Sequence, residues 1–293
     1  MRVAVITDST AYLPEGFAQR YSIGVVPLHV EVDGESMVEG VEFGPARLAA
    51  ALAEHKRVTT SRPTPVELAN AYTAALHSGA DAVVAVHLSS QLSGTWDAAR
   101  LAAEDVGADR VHVVDSRSTA MGLGFAVLAA ASAAVDGADP VAVQRIASDV
   151  AGRTSTYFCV PTLEYLRRGG RIGTAAALFG TALAVKPLLH VDAGKIEPLE
   201  KVRTMAKAVA RLVELAATAA GTESVGLAVH HLAASELAAD LANRLDERLP
   251  GSRGCLVSEV GAVIGAHTGP GMLGVVVLPD VPGPVVPDVL TAG

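Results

Sequence analysis

Short, β-branched apolar runs alternate with amphipathic or alanine-rich stretches along the first half of the chain. This alternation predicts a parallel sheet that carries helices on its faces. The predicted strands are 3–7, 25–32, 82–88 and 111–114, and the predicted helices are 45–54, 65–78, 96–106 and 120–135.

One helix start carries an unusually complete signal. Thr64 supplies a capping hydroxyl, Pro65 stands at the first helical position and Glu67 stands at the third. This order is the signature of a capping box with a proline at the first position. The sequence therefore predicts a helix that begins at Pro65.

The pattern changes from about residue 154. A β-run at 156–160 precedes two helical stretches, and runs at 186–191 and 195–199 flank Asp192, Ala193 and Gly194 as in a hairpin. A purely parallel sheet contains no hairpin, so this half predicts a mixed sheet. Further strands are expected at 225–230, 255–260 and 274–278, with helices at 204–219 and 235–248.

The fold class that follows is α/β with two domains. We expect an N-terminal domain over 1–152, with a mostly parallel sheet and helices on both faces. We expect a C-terminal mixed-sheet α/β domain over 153–293.

Composition excludes several classes of protein. Among 293 residues the formal net charge is −8, and no basic tail is present, which argues against nucleic acid as a partner. Uncharged stretches at 118–135 and 260–278 are rich in small residues or broken by glycine and proline, which predicts buried core and no stable membrane insertion. The opening residues contain no export signal, and Cys159 and Cys255 form no CxxC pair. We therefore expect a cytoplasmic protein.

Hydroxyl and carboxylate side chains follow the predicted strands of the first half. Ligands of open parallel sheets bind beyond the carboxyl ends of the strands, so these residues are candidates for one rim. The alternative is that serine, threonine and aspartate only cap helices and form turns. The candidates at these strand ends are Asp8, Ser9, Thr10 and Ser116.

Two loops add further candidates. The loop 58–63 carries Thr60, Ser61 and Arg62, and Ser93 with Gly94 and Thr95 opens a predicted helix. The first amides of a helix have no intrahelical partner, so this start favours an anion. A serine followed by glycine is also common on purely structural helices.

Two motifs in the second half have both a functional and a structural interpretation. The glycine-rich segment 265–271 could form an amide nest beside His267, or a hairpin connection whose histidine faces solvent. The run of Arg167, Arg168 and Arg171 could be only the basic last turn of a helix with its glycine stop, or Arg171, just past that stop, could reach a phosphate or an acidic partner.

Motifs of common enzyme classes are missing from the sequence. It contains no GxxxxGK[ST] phosphate loop, no HExxH metal motif and no GxSxG nucleophile elbow. No Cys/His spacing indicates zinc. We therefore expect no metal, no cofactor and no autonomous catalysis.

Several motifs together resemble one family in order and over nearly the whole chain. They are VAVITDSTAYLP, TTSRPTP, LSSQLSGTW, VVDSRSTAMGLG, LEYLRRGGRIG, KPLLHVDAGKIEPLEKVRT and AHTGPGMLG. This series is similar to that of the DegV family, whose members resemble the fatty-acid-binding FakB subunits of bacterial fatty acid kinase. The resemblance implies two α/β domains that enclose an acyl chain in a buried tunnel between them.

The resemblance also implies roles for particular residues. The carboxylate of the fatty acid would be held by Thr60 or Ser61, by Ser93 with Gly94, and by His267. Basic family positions correspond to Arg171 and Arg203, which would face the partner kinase or the transferred phosphate. Arg62 departs from the family, which commonly has glutamine at this position.

The favoured interpretation is a fatty-acid-binding subunit. It would present the carboxylate of a long-chain fatty acid to a separate, FakA-like, ATP-dependent kinase for acyl-phosphate formation. The bound fatty acid would be its only ligand, and transient contact with a membrane is compatible with this role. The alternatives are a phosphoryl-transfer or hydrolytic enzyme that uses Asp8, and a regulatory protein that senses a lipid.

Overall fold

The computed structural model describes residues 1–178, 185–221 and 224–279, and the chain divides into two compact units. The first unit comprises residues 1–29 and 61–153, and the second comprises residues 30–60 and the described residues between 154 and 279. The two domains that we predicted, 1–152 and 153–293, were continuous in sequence. The segment 30–60 instead groups with the second unit.

Strands account for the apolar runs of the sequence. In chain order they are β1 (Val3–Asp8), β2 (Gly24–Val26), β3 (His29–Val32), β4 (Glu35–Val38), β5 (Val58–Ser61), β6 (Ala82–His87), β7 (Val111–Asp115), β8 (Ser155–Cys159), β9 (Lys186–Asp192), β10 (Lys195–Val202), β11 (Val225–His231), β12 (Ser252–Glu259) and β13 (Leu273–Pro279).

Helices occupy the amphipathic and alanine-rich stretches. They are α1 (Phe17–Arg20), α2 (Pro45–Ala53), α3 (Pro65–His77), α4 (Thr95–Val106), α5 (Met121–Val135), α6 (Pro140–Arg153), α7 (Glu164–Arg168), α8 (Met205–Ala220), α9 (Ser235–Arg248) and α10 (Ala262–Thr268), with 3-10 helices at Ser9–Ala11 and Gly173–Leu178.

The first unit is built on a parallel sheet of order β2-β1-β6-β7. Strand β6 is buried throughout, which explains its continuous apolar run. Val83 and Ala85 of β6 pack with residues of α3 and α4, and α5 and α6 also pack against strands of this sheet. The predicted parallel sheet is therefore confirmed.

The central helix of the first unit is α5. Its residues 121–131 are all buried, so this uncharged helix forms part of the core, as the sequence predicted. Gly124 lies so close to the loop after β1 that a Cβ atom there would be 2.8 Å from the carbonyl oxygen of Ala11. Across the described residues, no helix has both the length and the apolar character that crossing a membrane requires.

The second unit contains a mixed sheet of order β10-β9-β8-β13-β11-β12. Strands β11 and β12 pair in parallel, and the other described neighbours pair antiparallel. The predicted hairpin is β9 and β10, whose turn places Ala193 and Gly194 at φ 46° and 86°. Two positive φ values are what a type I′ hairpin turn needs. The predicted mixed sheet is therefore confirmed.

The segment 30–60 joins the second unit through α2 and the small sheet β4-β3-β5. Leu48 of α2 lies where a Cβ atom of Gly265 would stand, so glycine allows α2 and α10 to approach closely. The backbone N–H of Val263 donates to buried Glu39 over 2.7 Å. These contacts with α10 explain why the segment belongs to the second unit.

Three local predictions differ from the structure. The predicted strand 25–32 is divided into β2 and β3 at Pro27, which has no N–H for a sheet hydrogen bond. The predicted loop 58–63 contains β5. The glycine-rich segment 265–271 begins within α10, where Gly265 leaves space for Leu48 and Leu232 to pack against the helix.

Replacing Thr64 by alanine is expected to lower the free energy of unfolding by about 1 kcal/mol. The Thr64 hydroxyl accepts from the N–H of Glu67 over 3.2 Å, and the Glu67 carboxylate accepts from the N–H of Thr64 over 2.7 Å. Urea denaturation measures the loss. Thr64→Ser is the control because it keeps the hydroxyl, and equal destabilisation by both changes would contradict a capping role.

Candidate functional site

Asp8 ends β1 and is fully buried, with both carboxylate oxygens occupied. Its Oδ1 accepts from the N–H of Thr10 over 3.1 Å and from the Thr10 hydroxyl over 2.6 Å. Its Oδ2 accepts from Nδ1 of His87 over 3.0 Å and from the N–H of Leu88 over 2.9 Å. Hydrogen bonds to Asp8 therefore connect the loop after β1 with the end of β6 and the loop that follows it.

The hydrogen-bond network continues from Asp8 into the core. Nε2 of His87, on the other side of the ring from the nitrogen that contacts Asp8, lies 3.1 Å from the hydroxyl of Tyr72. Burial and the charge of Asp8 raise the pKa of Tyr72, so its phenol stays protonated. The geometry disfavours Asp8 as an acceptor of phosphoryl groups because this carboxylate has no exposed surface.

Other rim candidates are also engaged in turns. The hydroxyl of Ser9 accepts from the N–H of Leu28 over 3.0 Å. The hydroxyl of buried Ser116 accepts from the N–H of Ser118 over 3.2 Å. The Ser116 bond is that of a turn, whereas the Ser9 bond joins the loop after β1 to the segment after β2.

The start of α4 differs from these turns. The hydroxyls of Ser93 and Thr95 lie 2.9 Å apart, and the N–H of Thr95 donates to the Ser93 hydroxyl over 3.3 Å. Gly94 is the capping residue of α4 and has no side chain to satisfy the first amides. Arg62 lies directly against Gly94. The first unit thus brings together a hydroxyl pair, a helix N-terminus and a guanidinium.

In the second unit, Thr60 of β5 meets His267 of α10. The Thr60 hydroxyl and Nε2 of His267 lie 2.8 Å apart, although the two residues are 207 positions apart in sequence. The imidazole lies against Gly169, where any side chain would occupy the space of its ring. Nδ1 of His267 is buried and has no hydrogen-bond partner within the described part of the chain.

The environment of His267 keeps its imidazole neutral. Burial, and then the positive charge of Arg171, lower its pKa to about 4. Arg171 is held nearby because its Nη1 donates to the carbonyl oxygen of Gly169 over 2.5 Å. The pair of Thr60 and His267 therefore offers neutral hydrogen-bonding groups at pH 7.

The basic run 167–171 separates into two parts. Arg167 and Arg168 both donate to Glu164, over 2.7 Å and 2.8 Å, and these bonds lower the pKa of Glu164 to about 2. This agrees with the structural interpretation of a basic last turn in α7. Arg171 instead lies beside His267. Arg203 is exposed just after β10.

The structure places the predicted site residues in two groups. The first unit contains Asp8, Ser9, Thr10, Ser61, Arg62, Ser93, Gly94, Thr95 and Ser116, and the second contains Thr60, Arg171, Arg203 and His267. Ser61 is an exposed residue at the end of β5, directly after Thr60. Nowhere in the described ranges do three or more His, Cys, Asp or Glu residues group as a metal site would require.

Sequence reasoning missed three residues that support these groups. Tyr72 orients His87, Gly169 makes room for His267, and Glu39 accepts from the first turn of α10. The glycine pair 169–170 could have indicated close packing at this position, but glycines that end a helix give the same pattern. Tyr72 and Glu39 carry no local signal because their partners are distant in sequence.

The comparison with protein families decides the classification. The model for an uncharacterised protein family, DegV, matches residues 2–280. The chain belongs to the DegV family. A DegV domain-containing protein of Streptomyces coelicolor is 55% identical over 275 residues, which cover 94% of this chain and 98% of the relative. Protein DegV of Bacillus subtilis is 37% identical over 281 residues, with coverage of 94% and 98%.

Solved structures of DegV proteins have the same fold. A structure reported as fatty acid binding of a DegV family protein from Thermus thermophilus has a TM-score of 0.89 at 34% identity and covers 95% of this chain and 99% of that chain. DegV from Bacillus subtilis, described as a fatty acid binding protein, has a TM-score of 0.86 at 35% identity with the same coverage. The predicted family and fold class are both confirmed.

His267 is expected to make stability fall in mild acid. Its pKa is about 4 in the folded chain and 6.5 when unperturbed, so the unfolded chain binds the proton first as pH falls. The stabilisation is complete above pH 6.5 and is lost as pH falls toward 4, by about 3 kcal/mol for a shift of this size.

Urea denaturation of the wild type and His267→Gln at pH 7 and pH 4.5 measures this effect. The loss of unfolding free energy between the two pH values should be smaller in the variant by about 2 kcal/mol. Burial also lowers the pKa of His230 to about 4, but this histidine is present in both proteins and its contribution cancels. An equal loss in both proteins would refute the prediction.

Proposed function

We propose that this chain binds a long-chain fatty acid in a buried tunnel. The proposal is carried by the likeness, over 95% of the chain, to the DegV proteins of Thermus thermophilus and Bacillus subtilis that are described as binding fatty acids. The groups proposed to hold the carboxylate are Thr60, Ser61, Ser93, Gly94 and His267.

The chemistry of these groups suits a carboxylate. Hydroxyls, backbone amides and a neutral imidazole can donate to its oxygens, and hydrogen bonds to an ionised acceptor are stronger than neutral ones. Transfer of about fifteen methylenes from water contributes about 12 kcal/mol, at about 0.8 kcal/mol each. The acyl chain thus supplies most of the affinity, and the polar groups fix the orientation of the ligand.

We further propose that the carboxylate is presented to a separate ATP-dependent kinase. A carboxylate oxygen attacks the terminal phosphorus of ATP, the bond from that phosphorus to its bridging oxygen breaks, and ADP leaves. The product is an acyl phosphate. The sequence has no P-loop motif of its own, which supports assigning ATP to a partner. Arg171 and Arg203 are the proposed contacts to that partner or to the transferred phosphate.

Native mass spectrometry of the purified protein, followed by lipid extraction, tests fatty acid binding directly. We expect a mass excess that corresponds to one or a few long-chain fatty acids. Ser93→Ala and Thr60→Ala should each weaken palmitate binding about fivefold to tenfold, because each removes one hydrogen bond to the carboxylate.

Ser148→Ala is the matched control for these variants. Ser148 is exposed on α6, and its hydroxyl donates to the carbonyl oxygen of Gln144 within the same helix. This variant should bind palmitate like the wild type. A protein that carries no lipid and takes up neither palmitate nor oleate while folded would overturn the proposed function.

Arg203→Ala tests the proposed partner contact. Because Arg203 is exposed, we expect normal palmitate binding but an acyl-phosphate yield at least threefold lower when a FakA-like kinase and ATP are added. Arg244→Ala is the control, since Arg244 is an exposed arginine of α9 paired with Asp240. If the wild type, Arg203→Ala and Arg244→Ala gave equal acyl-phosphate yields, Arg203 would not be part of the contact with the kinase.

A further inference from the structure

We propose that Arg62 makes the headgroup site selective for an ionised carboxylate over an uncharged polar headgroup. This inference rests on the proposed binding of a fatty acid and deepens it, because it assigns the charge selectivity to one side chain. The evidence is the position of the guanidinium at the N-terminus of α4.

The side chain of Arg62 lies directly against Gly94. The nearest atoms to a Cβ built on Gly94 all belong to Arg62, with Cδ at 3.2 Å and Cζ at 3.3 Å and Nη1 closer still. Gly94 has φ −75° and ψ 12°, a conformation open to any residue. A side chain at this position would therefore meet the guanidinium of Arg62, which would have to move.

The backbone of Arg62 is restrained on both sides. It follows Ser61, the last residue of β5, and precedes buried Pro63. A residue before proline is confined to extended conformations, so the direction of this side chain is set partly by the chain itself. The guanidinium therefore lies at Gly94, the capping residue at the N-terminus of α4.

The electrostatics at this position favour an anion. The N-terminus of a helix carries a partial positive charge, so a cation placed there is repelled unless a negative group lies close to both. Asp97 lies in the first turn of α4. In the described part of the chain, however, no carboxylate comes within ion-pair distance of Arg62. A bound carboxylate would turn this repulsion into attraction, whereas an alcohol would not.

The test compares the affinity for palmitate with the affinity for 1-hexadecanol at pH 8. Each radiolabelled lipid is partitioned between the protein and a fixed amount of cyclodextrin. Arg62→Gln keeps the approximate size of the side chain and a donor but removes the charge. We expect it to lower the palmitate-to-hexadecanol affinity ratio about threefold to tenfold, since Arg62 is exposed.

Two further variants distinguish the effect of a positive charge at position 62 from the effect of the net charge of the protein. Arg62→Lys should retain most of the ratio because it keeps the cation. Arg145→Gln should leave the ratio unchanged, because Arg145 is exposed on α6 and pairs with Asp149. Added salt should reduce the ratio of the wild type more than that of Arg62→Gln, since exposed charges are screened.

The outcomes distinguish this inference from the proposed function. A folded wild type that binds neither lipid overturns the proposed function, and the inference with it. If the wild type binds both lipids and Arg62→Gln has the same palmitate-to-hexadecanol affinity ratio as the wild type, only the role of Arg62 is overturned. An equal fall of the ratio in Arg145→Gln would also overturn it, because the effect would then come from net charge.

Discussion

The buried carboxylate of Asp8 is the interaction on which the polar loops of the first unit depend. A charged group without solvent must be fully hydrogen-bonded, and Asp8 meets this requirement with donors from the loop after β1 and from the end of β6. Leu88 is among these donors and opens the loop that leads to Ser93 and Gly94. The hydrogen bonds of Asp8 therefore fix the start of the loop that carries two of the proposed headgroup residues.

Glycine residues in the second unit allow α10 and its His267 side chain to pack closely against neighbouring segments. The imidazole of His267 occupies the space beside Gly169, and α10 approaches Leu48 through Gly265. A side chain at Gly269 would similarly meet the ring of Tyr165. These glycines allow α10 to approach its neighbours closely. Burial and the charge of Arg171 keep the imidazole of His267 neutral.

The residues proposed to hold the headgroup are uncharged, and Arg62 is the cation proposed to select for a carboxylate. Thr60 and His267 are uncharged, so they avoid the cost of an unpaired buried cation when the site is empty. Arg62 carries a full charge but remains exposed, where water solvates it. In the proposed site, the exposed charge of Arg62 attracts the carboxylate, and Thr60 and His267 add no charge.

The sequence alone determined the alternation of strands and helices, the capping box at Thr64, the hairpin at Ala193 and the family. These features depend on local periodicity, turn conformation or ordered motifs. The sequence did not reveal that residues 30–60 belong with the second unit, or that His267 lies on a helix against Thr60 and Gly169. Only the tertiary structure decided these points, because they depend on contacts between residues far apart in the chain.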